Sequence, residues 1–153
     1  MTTWDAFQLG TGMLALVSGG AFLAWSTFTS AGLARAEPAA AVAVMRGVNV
    51  AAPRSVLFMA VLFLPGLAAA VVAVRAAGEA DWGPVLASVV YVVGVIGMTV
   101  AFHVPRNDAL DRAPDAEAVR EWPRWLRTWV AGNHVRTLSG VVAGVLLVVD
   151  AAR

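Results

Sequence analysis

The chain has 153 residues, 59% of them hydrophobic and 14% charged, with a net charge of +1, no cysteine, two histidines, and arginine at all 11 basic positions. Soluble globular chains carry roughly 45–50% apolar and about 25% charged residues, so this composition points to an integral membrane protein and excludes intrinsic disorder. The small net charge supplies no clustered basic surface for nucleic acid, and without cysteine there is no disulfide framework, thiolate metal site or thiol nucleophile.

A membrane-crossing helix takes about 20 mostly apolar residues. The first such run covers residues 6–28. The opening Met1-Thr2-Thr3-Trp4-Asp5 lacks the basic stretch of a signal peptide, so the run is expected to be a retained span despite the small-x-small pattern at Ala34-Arg35-Ala36. Glu37-Pro38 then marks a helix start, with proline at the first helical position and a carboxylate facing the positive end of the dipole. A short loop helix over residues 39–52 is predicted to carry Met45, Arg46 and Asn49 and to stop at Pro53. The second and third spans cover residues 55–74 and 82–104 and, like the first, contain no Arg, Asp or Glu. Pro65-Gly66 is expected to free a carbonyl one turn earlier and kink the second span.

Ala113-Pro114-Asp115 marks a second loop helix, over residues 115–132. On a helical wheel Trp122, Trp125 and Trp129 share one stripe, with Arg120, Arg124 and Arg127 roughly opposite; Pro123 is the position where this helix would break or kink. The clean apolar part of the last run, residues 138–149, covers only about 18 Å at helical rise. That is short of a hydrocarbon core of roughly 30 Å. A fourth span must therefore start near Trp129, over residues 129–149, and carry Asn133, His134 and Arg136 in its first two turns. The alternative is a short re-entrant or interfacial segment.

The expected fold is all-α: one domain over residues 1–153, an integral membrane four-helix bundle with short interfacial helices in the first and third loops. Nine arginines fall in those two loops, against Arg75 and Arg153 on the other side. The positive-inside rule then makes the first and third loops cytoplasmic and puts both termini outside, in a multi-pass protein of the cell (inner) membrane surrounded by lipid. Gly10, Gly12, Ser18, Gly19 and Gly20 in the first span, Ser88, Gly94 and Gly97 in the third, and the Gly140/Gly144 pair in the fourth are expected to let the helices approach closely. The last pair also fits a dimerisation motif.

Ionisable residues at membrane depth are costly and mark functional sites. Here they cluster at one level: Asn133-His134-Val135-Arg136-Thr137, His103-Val104-Pro105-Arg106-Asn107-Asp108, and Asn49. Each has a bland reading beside the functional one: a histidine bonded to a carbonyl, an arginine snorkelling to phosphate, an asparagine capping a helix. The tryptophans serve as headgroup anchors or as walls for a flat apolar ligand. The wheel extended past Gly132 puts Asn133, Thr137, Gly140 and Gly144 on the Trp129 face, with Arg136 about 60° away. His103, His134 and Asp108 are ligand types for iron or copper, but their spacing fixes no preformed pair, so no cofactor is expected and a copper or iron site through His103 and His134 is the alternative. No phosphate-cradling loop, Ser/His/Asp arrangement or intramembrane carboxylate pair is present to support hydrolysis, nucleotide binding or proton pumping.

Trp129-x-x-x-Asn133-His134-x-Arg136-Thr137 resembles the signature of the anthrone oxygenase-like family of small four-span membrane proteins. His103-Val104-Pro105-Arg106-Asn107 matches its Asn-Val-Pro-x-Asn segment, with histidine where the family usually has asparagine. Met45 with Asn49 and Phe22 with Trp25 match two further pairs. The resemblance implies oxidation of an anthrone to an anthraquinone by molecular oxygen; no cofactor is firmly implied by it. Such chemistry needs a base for an acidic CH₂ and donors for the developing oxyanion. The expected assignment makes His134 the base and Arg136 with Asn107 the oxyanion stabilisers. Trp125 and Trp129 wall a flat aromatic substrate, anthrone- or quinol-like, and Asn49, His103, Asn133 and Thr137 complete its binding face. The competing class is a non-catalytic membrane protein that binds lipid or a small molecule, or acts as an accessory subunit. The two classes part on whether His134, Arg136 and Asn107 face one enclosed cavity.

Overall fold

In the computed structural model, which describes residues 1–153, the chain forms five helices and no strand. They are α1 (Thr3–Arg35), α2 (Pro38–Ala51), α3 (Val56–Gly78), α4 (Trp82–Arg112) and α5 (Asp115–Ala151). All but α2 are long and apolar enough to cross a membrane. Large apolar side chains such as Met13, Val17, Leu67, Val93 and Leu138 point outward, as expected where lipid replaces water as the solvent. The chain is a multi-pass helical membrane bundle.

Local sequence starts each helix. Thr2 and Asp5 form a reciprocal capping box on α1, the Asp5 amide donating to Thr2 Oγ1 at 3.1 Å. The Glu37 carboxylate accepts from the amides of Ala39 and Ala40 at 2.9 and 3.2 Å, so α2 begins at the predicted Glu37-Pro38. Ser55 and Asp81 cap α3 and α4 in the same way, at 3.2 and 3.3 Å. Between α3 and α4 the Asp81 amide bonds the Ala76 carbonyl at 2.9 Å, a Schellman-type closure that puts Ala80 at a φ of 57°.

The long helices run past their apolar cores. α5 is one helix of 37 residues, so the segment expected as a separate loop helix is continuous with the fourth span. Pro123 does not break it; the ring sits on the exposed side of the helix. Nor is the end of the chain re-entrant: α5 lies alongside α1 for much of its length. α4 continues through Pro105 to Arg112. Its turns widen into π-helix over Val92–Gly97 and again over Thr99–His103. The second widened turn, just ahead of Pro105, accommodates a ring that would otherwise press on a carbonyl one turn earlier. α3 likewise runs through Pro65 as one helix.

Small residues set the tightest contact. A Cβ on Gly19 would come within 2.9 Å of the Val141 amide, and one on Gly140 within 3.0 Å of Gly19 Cα. A Cβ on Gly12 would lie 2.9 Å from the Gly144 carbonyl. The GxxxG pair of α5 is thus spent on α1 of the same chain rather than on a second copy. α4 joins this pair where Gly94 receives Ser139 of α5. α2 lies across the arginine-rich end, where Ala41, Val42 and Met45 pack on Leu110, Ala118, Trp122, Leu126 and Trp129. Arg46 locks it there, donating to the carbonyls of Leu110 and Ala113 and pairing with Asp115 at 2.6 Å.

Candidate functional site

α3 and α4 pack together over Trp82–Gly97 and diverge over Thr99–His103. The divergence leaves a cavity of about 520 Å³ at the arginine-rich end, within the 300–1,000 Å³ usual for small-molecule sites. Phe22 and Trp25 of α1, Phe58, Met59, Leu62 and Phe63 of α3, and Trp129 of α5 supply most of its apolar wall. Met45 and Asn49, four residues apart on α2, reach it from the same side of their helix. Val100 and Val104 line it although they are 57% and 45% exposed, so one side opens outward between α3 and α4.

Two polar groups form the floor. Arg136 is 5% exposed. Its Nη2 donates to Asn133 Oδ1 and its Nη1 to Thr99 Oγ1 at 3.3 Å, while Nε has no partner. The guanidinium carbon stands 4.3 Å from the Phe22 ring centre and 5.6 Å from that of Trp129. The chain's ion pairs, Arg46–Asp115, Arg75–Glu79, Arg112–Asp108 and Arg120–Glu121, leave Arg136 without a carboxylate. Beside it His103 is 2% exposed, and neither ring nitrogen has a hydrogen-bond partner. Its ring stands edge-on to Phe102 and Trp129, at 5.2 and 5.0 Å between centres. Gly132 makes room for this pair, since a Cβ there would run into Phe102 and approach His103 Nε2 to 3.2 Å.

A second layer holds the floor. Asn133 is fully buried and donates to the Phe22 carbonyl at 2.8 Å and to Ser26 Oγ at 2.7 Å, leaving its oxygen for Arg136. Thr137 donates back to the Asn133 carbonyl at 3.1 Å and shares a bond with Ser26 at the same distance. Near the mouth, Asn107 Oδ1 accepts from Trp129 Nε1 at 3.0 Å, which leaves its NH₂ group as a donor. Asn49 donates to Asp111 Oδ1 at 2.9 Å.

The structure sorts the expected residues into three groups. Arg136, Asn107, Asn49, His103 and Trp129 line one cavity. Asn133 and Thr137 stand behind it and position Arg136 rather than touching the space. His134 and Trp125 are corrected. Trp125 stacks between Trp122 and Trp129, with ring centres 5.3 and 6.1 Å away, and donates to the Arg106 carbonyl at 3.2 Å, outside the lining. His134, expected as the base, faces outward and does not line the cavity. The cause is helical geometry: five residues on from Trp129 is a rotation of about 140°. His134 is exposed where His103 is buried, and no three His, Asp or Glu side chains converge to hold a metal. Sequence reasoning missed Ser26 and Thr99, which brace Asn133 and Arg136, and the apolar side chains of α3, which no motif distinguishes from lipid-facing neighbours.

A family model described as anthrone oxygenase matches residues 44–146. The chain belongs to the anthrone oxygenase family. The matched stretch runs from α2 into α5, so every polar residue of the cavity lies inside it, while Phe22 and Trp25 lie outside. No curated protein and no solved structure matches the chain.

Proposed function

We propose that the protein is a membrane oxygenase that oxidises a lipophilic aromatic ketone of the anthrone type with molecular oxygen, using His103 as base and Arg136 with Asn107 as oxyanion donors. The carrying observation is the floor: two buried nitrogen groups, His103 and Arg136, on the lining of one apolar-walled cavity, each with at least one nitrogen atom that has no hydrogen-bond partner. Buried polar atoms ordinarily find partners in their own protein, and an ionisable exception on a cavity wall is what a ligand would complete.

The ring CH₂ of the substrate gives a proton to His103, and the negative charge moves to the carbonyl oxygen, where Arg136 and the Asn107 NH₂ group stabilise it. Oxygen adds to the resulting carbanion carbon, which takes back a proton as a hydroperoxide. Loss of water from that hydroperoxide leaves the second ring carbonyl. One O₂ is consumed, one oxygen atom enters the product and the other leaves as water, so no external reductant is needed. Trp129 and Phe22 offer flat faces to the rings, and the gap beside Val100 and Val104 admits a substrate already dissolved in lipid. The distribution of arginines makes the cavity end the cytoplasmic one, at an inner membrane, with both termini on the far side.

The test is oxygen uptake and anthraquinone absorbance with anthrone as substrate, in purified protein. We expect uptake of one O₂ per anthrone, a fall of about 10²–10⁴-fold in His103→Ala, as for loss of a general base, and no change in His134→Ala. Uptake that is equal in wild type and His103→Ala defeats the assignment. Uptake absent altogether, with a stable fold, leaves a non-catalytic binding protein.

A further inference from the structure

We infer that the cavity selects its ligand in an ionised form: an aromatic oxyanion, phenolate or enolate, whose charged oxygen becomes the missing counter-ion of Arg136. The inference rests on the cavity being the ligand site, as proposed above, but not on the ligand being oxidised. A guanidinium stays charged in proteins. Here it is enclosed with only neutral acceptors, Asn133 and Thr99, and two aromatic faces around it. A buried charge without a partner is strongly unfavourable, and an anion held beside it relieves it.

Charged and titratable groups around the cavity set the direction of binding. Neither α1 nor α3 contributes any, and α2 contributes only neutral Asn49. α4 contributes His103 at the floor and Asp108 and Asp111 at the mouth, where Asp108 meets Arg112 at 3.3 Å and Asp111 accepts from Asn49. α5 contributes Arg136. The floor is therefore positive without compensation and the mouth is acidic. An anion held at the mouth would face two carboxylates, so its oxygen belongs at the floor, against Arg136. Phe22, Trp25, Phe58 and Trp129 surround the space leading there, which suits an aromatic body and not a hydrated inorganic ion.

The measurement is equilibrium binding of two chromophores of nearly equal shape, 4-nitrophenol at a pH where it is ionised and its methyl ether 4-nitroanisole, to the detergent-solubilised full chain. Neither has an oxidisable ring CH₂, so turnover plays no part. One charge-assisted hydrogen bond predicts that the phenolate binds about tenfold to a hundredfold more tightly than the ether. Arg136→Met should abolish that preference, and Arg136→Lys should keep part of it; the lysine variant and the wild-type comparison stand even if the methionine variant does not fold. Equal binding of both probes, tighter binding of the ether, binding of neither, or a preference that survives in folded Arg136→Met overturns the inference. A protein that prefers the phenolate yet consumes no oxygen with anthrone loses the oxidation and keeps this site. One that oxidises anthrone without any phenolate preference does the reverse.

Discussion

The two ends of the bundle bury polar groups in opposite ways. At the end carrying the termini, Gln8 donates to Asp150 at 2.8 Å and to the Leu147 carbonyl at 3.4 Å. Nearer the middle, Tyr91 donates to the Leu62 carbonyl at 3.0 Å and accepts from the Ser18 hydroxyl at 2.9 Å, and glycines close α1 against α5. Ser88, a neutral hydroxyl, is the one unpartnered side chain in that half. At the arginine-rich end Trp122 Nε1 is unpartnered away from the cavity, and where the helices part a guanidinium and an imidazole are enclosed with atoms unbonded beside an open space. Polar burial by itself is common to both ends; what distinguishes the site is a pair of ionisable groups with that burial left unfinished beside an open space.

The largest effect that sharpens this contrast is on rate. Arg136→Met should lower kcat for anthrone oxidation by about 10²–10³-fold, the usual cost of losing an oxyanion donor, in steady-state oxygen uptake. The matching change in the closed half acts on stability alone. Gly140→Val forces a branched side chain against Gly19 and should cost about 1–3 kcal/mol in thermal unfolding, with kcat per folded molecule unchanged. Tyr91→Phe removes a bond to Ser18 and one to Leu62 and should cost about 1–2 kcal/mol, again with no effect on rate. Ala80→Gly should raise stability by about 1 kcal/mol by relieving the left-handed backbone between α3 and α4. If the closed-half variants changed kcat, or Arg136→Met changed only stability, the distinction between the two ends would be lost.

Much of this division is legible in the sequence. The span count, the Glu37-Pro38 start, and the inward face of α5 carrying Trp129, Asn133, Thr137, Gly140 and Gly144 follow from periodicity and capping, and those five residues are buried. The wheel that places them also turns His134 outward. Reading Asn-His-x-Arg-Thr as a contiguous motif hid that, because neighbours along a helix face different surroundings. His103 is expected on the binding face, but its burial at the floor does not follow from a helical wheel. Two widened turns in α4 each rotate the following residues off an ideal wheel, so periodicity assigns no dependable face beyond Val92. The α3 wall was illegible because Phe58, Met59 and Leu62 are ordinary apolar residues in an apolar span, and only the divergence from α4 makes them a wall.

The most direct measurement is an experimental structure of the full chain in lipid with a bound hydroxyanthraquinone, a stable analogue of the proposed product. The account predicts the ligand inside the cavity, a ring oxygen about 3 Å from the Arg136 guanidinium, and its rings against Trp129 and Phe22. A ligand found instead on the outer face beside His134, with Arg136 and His103 untouched, would contradict it.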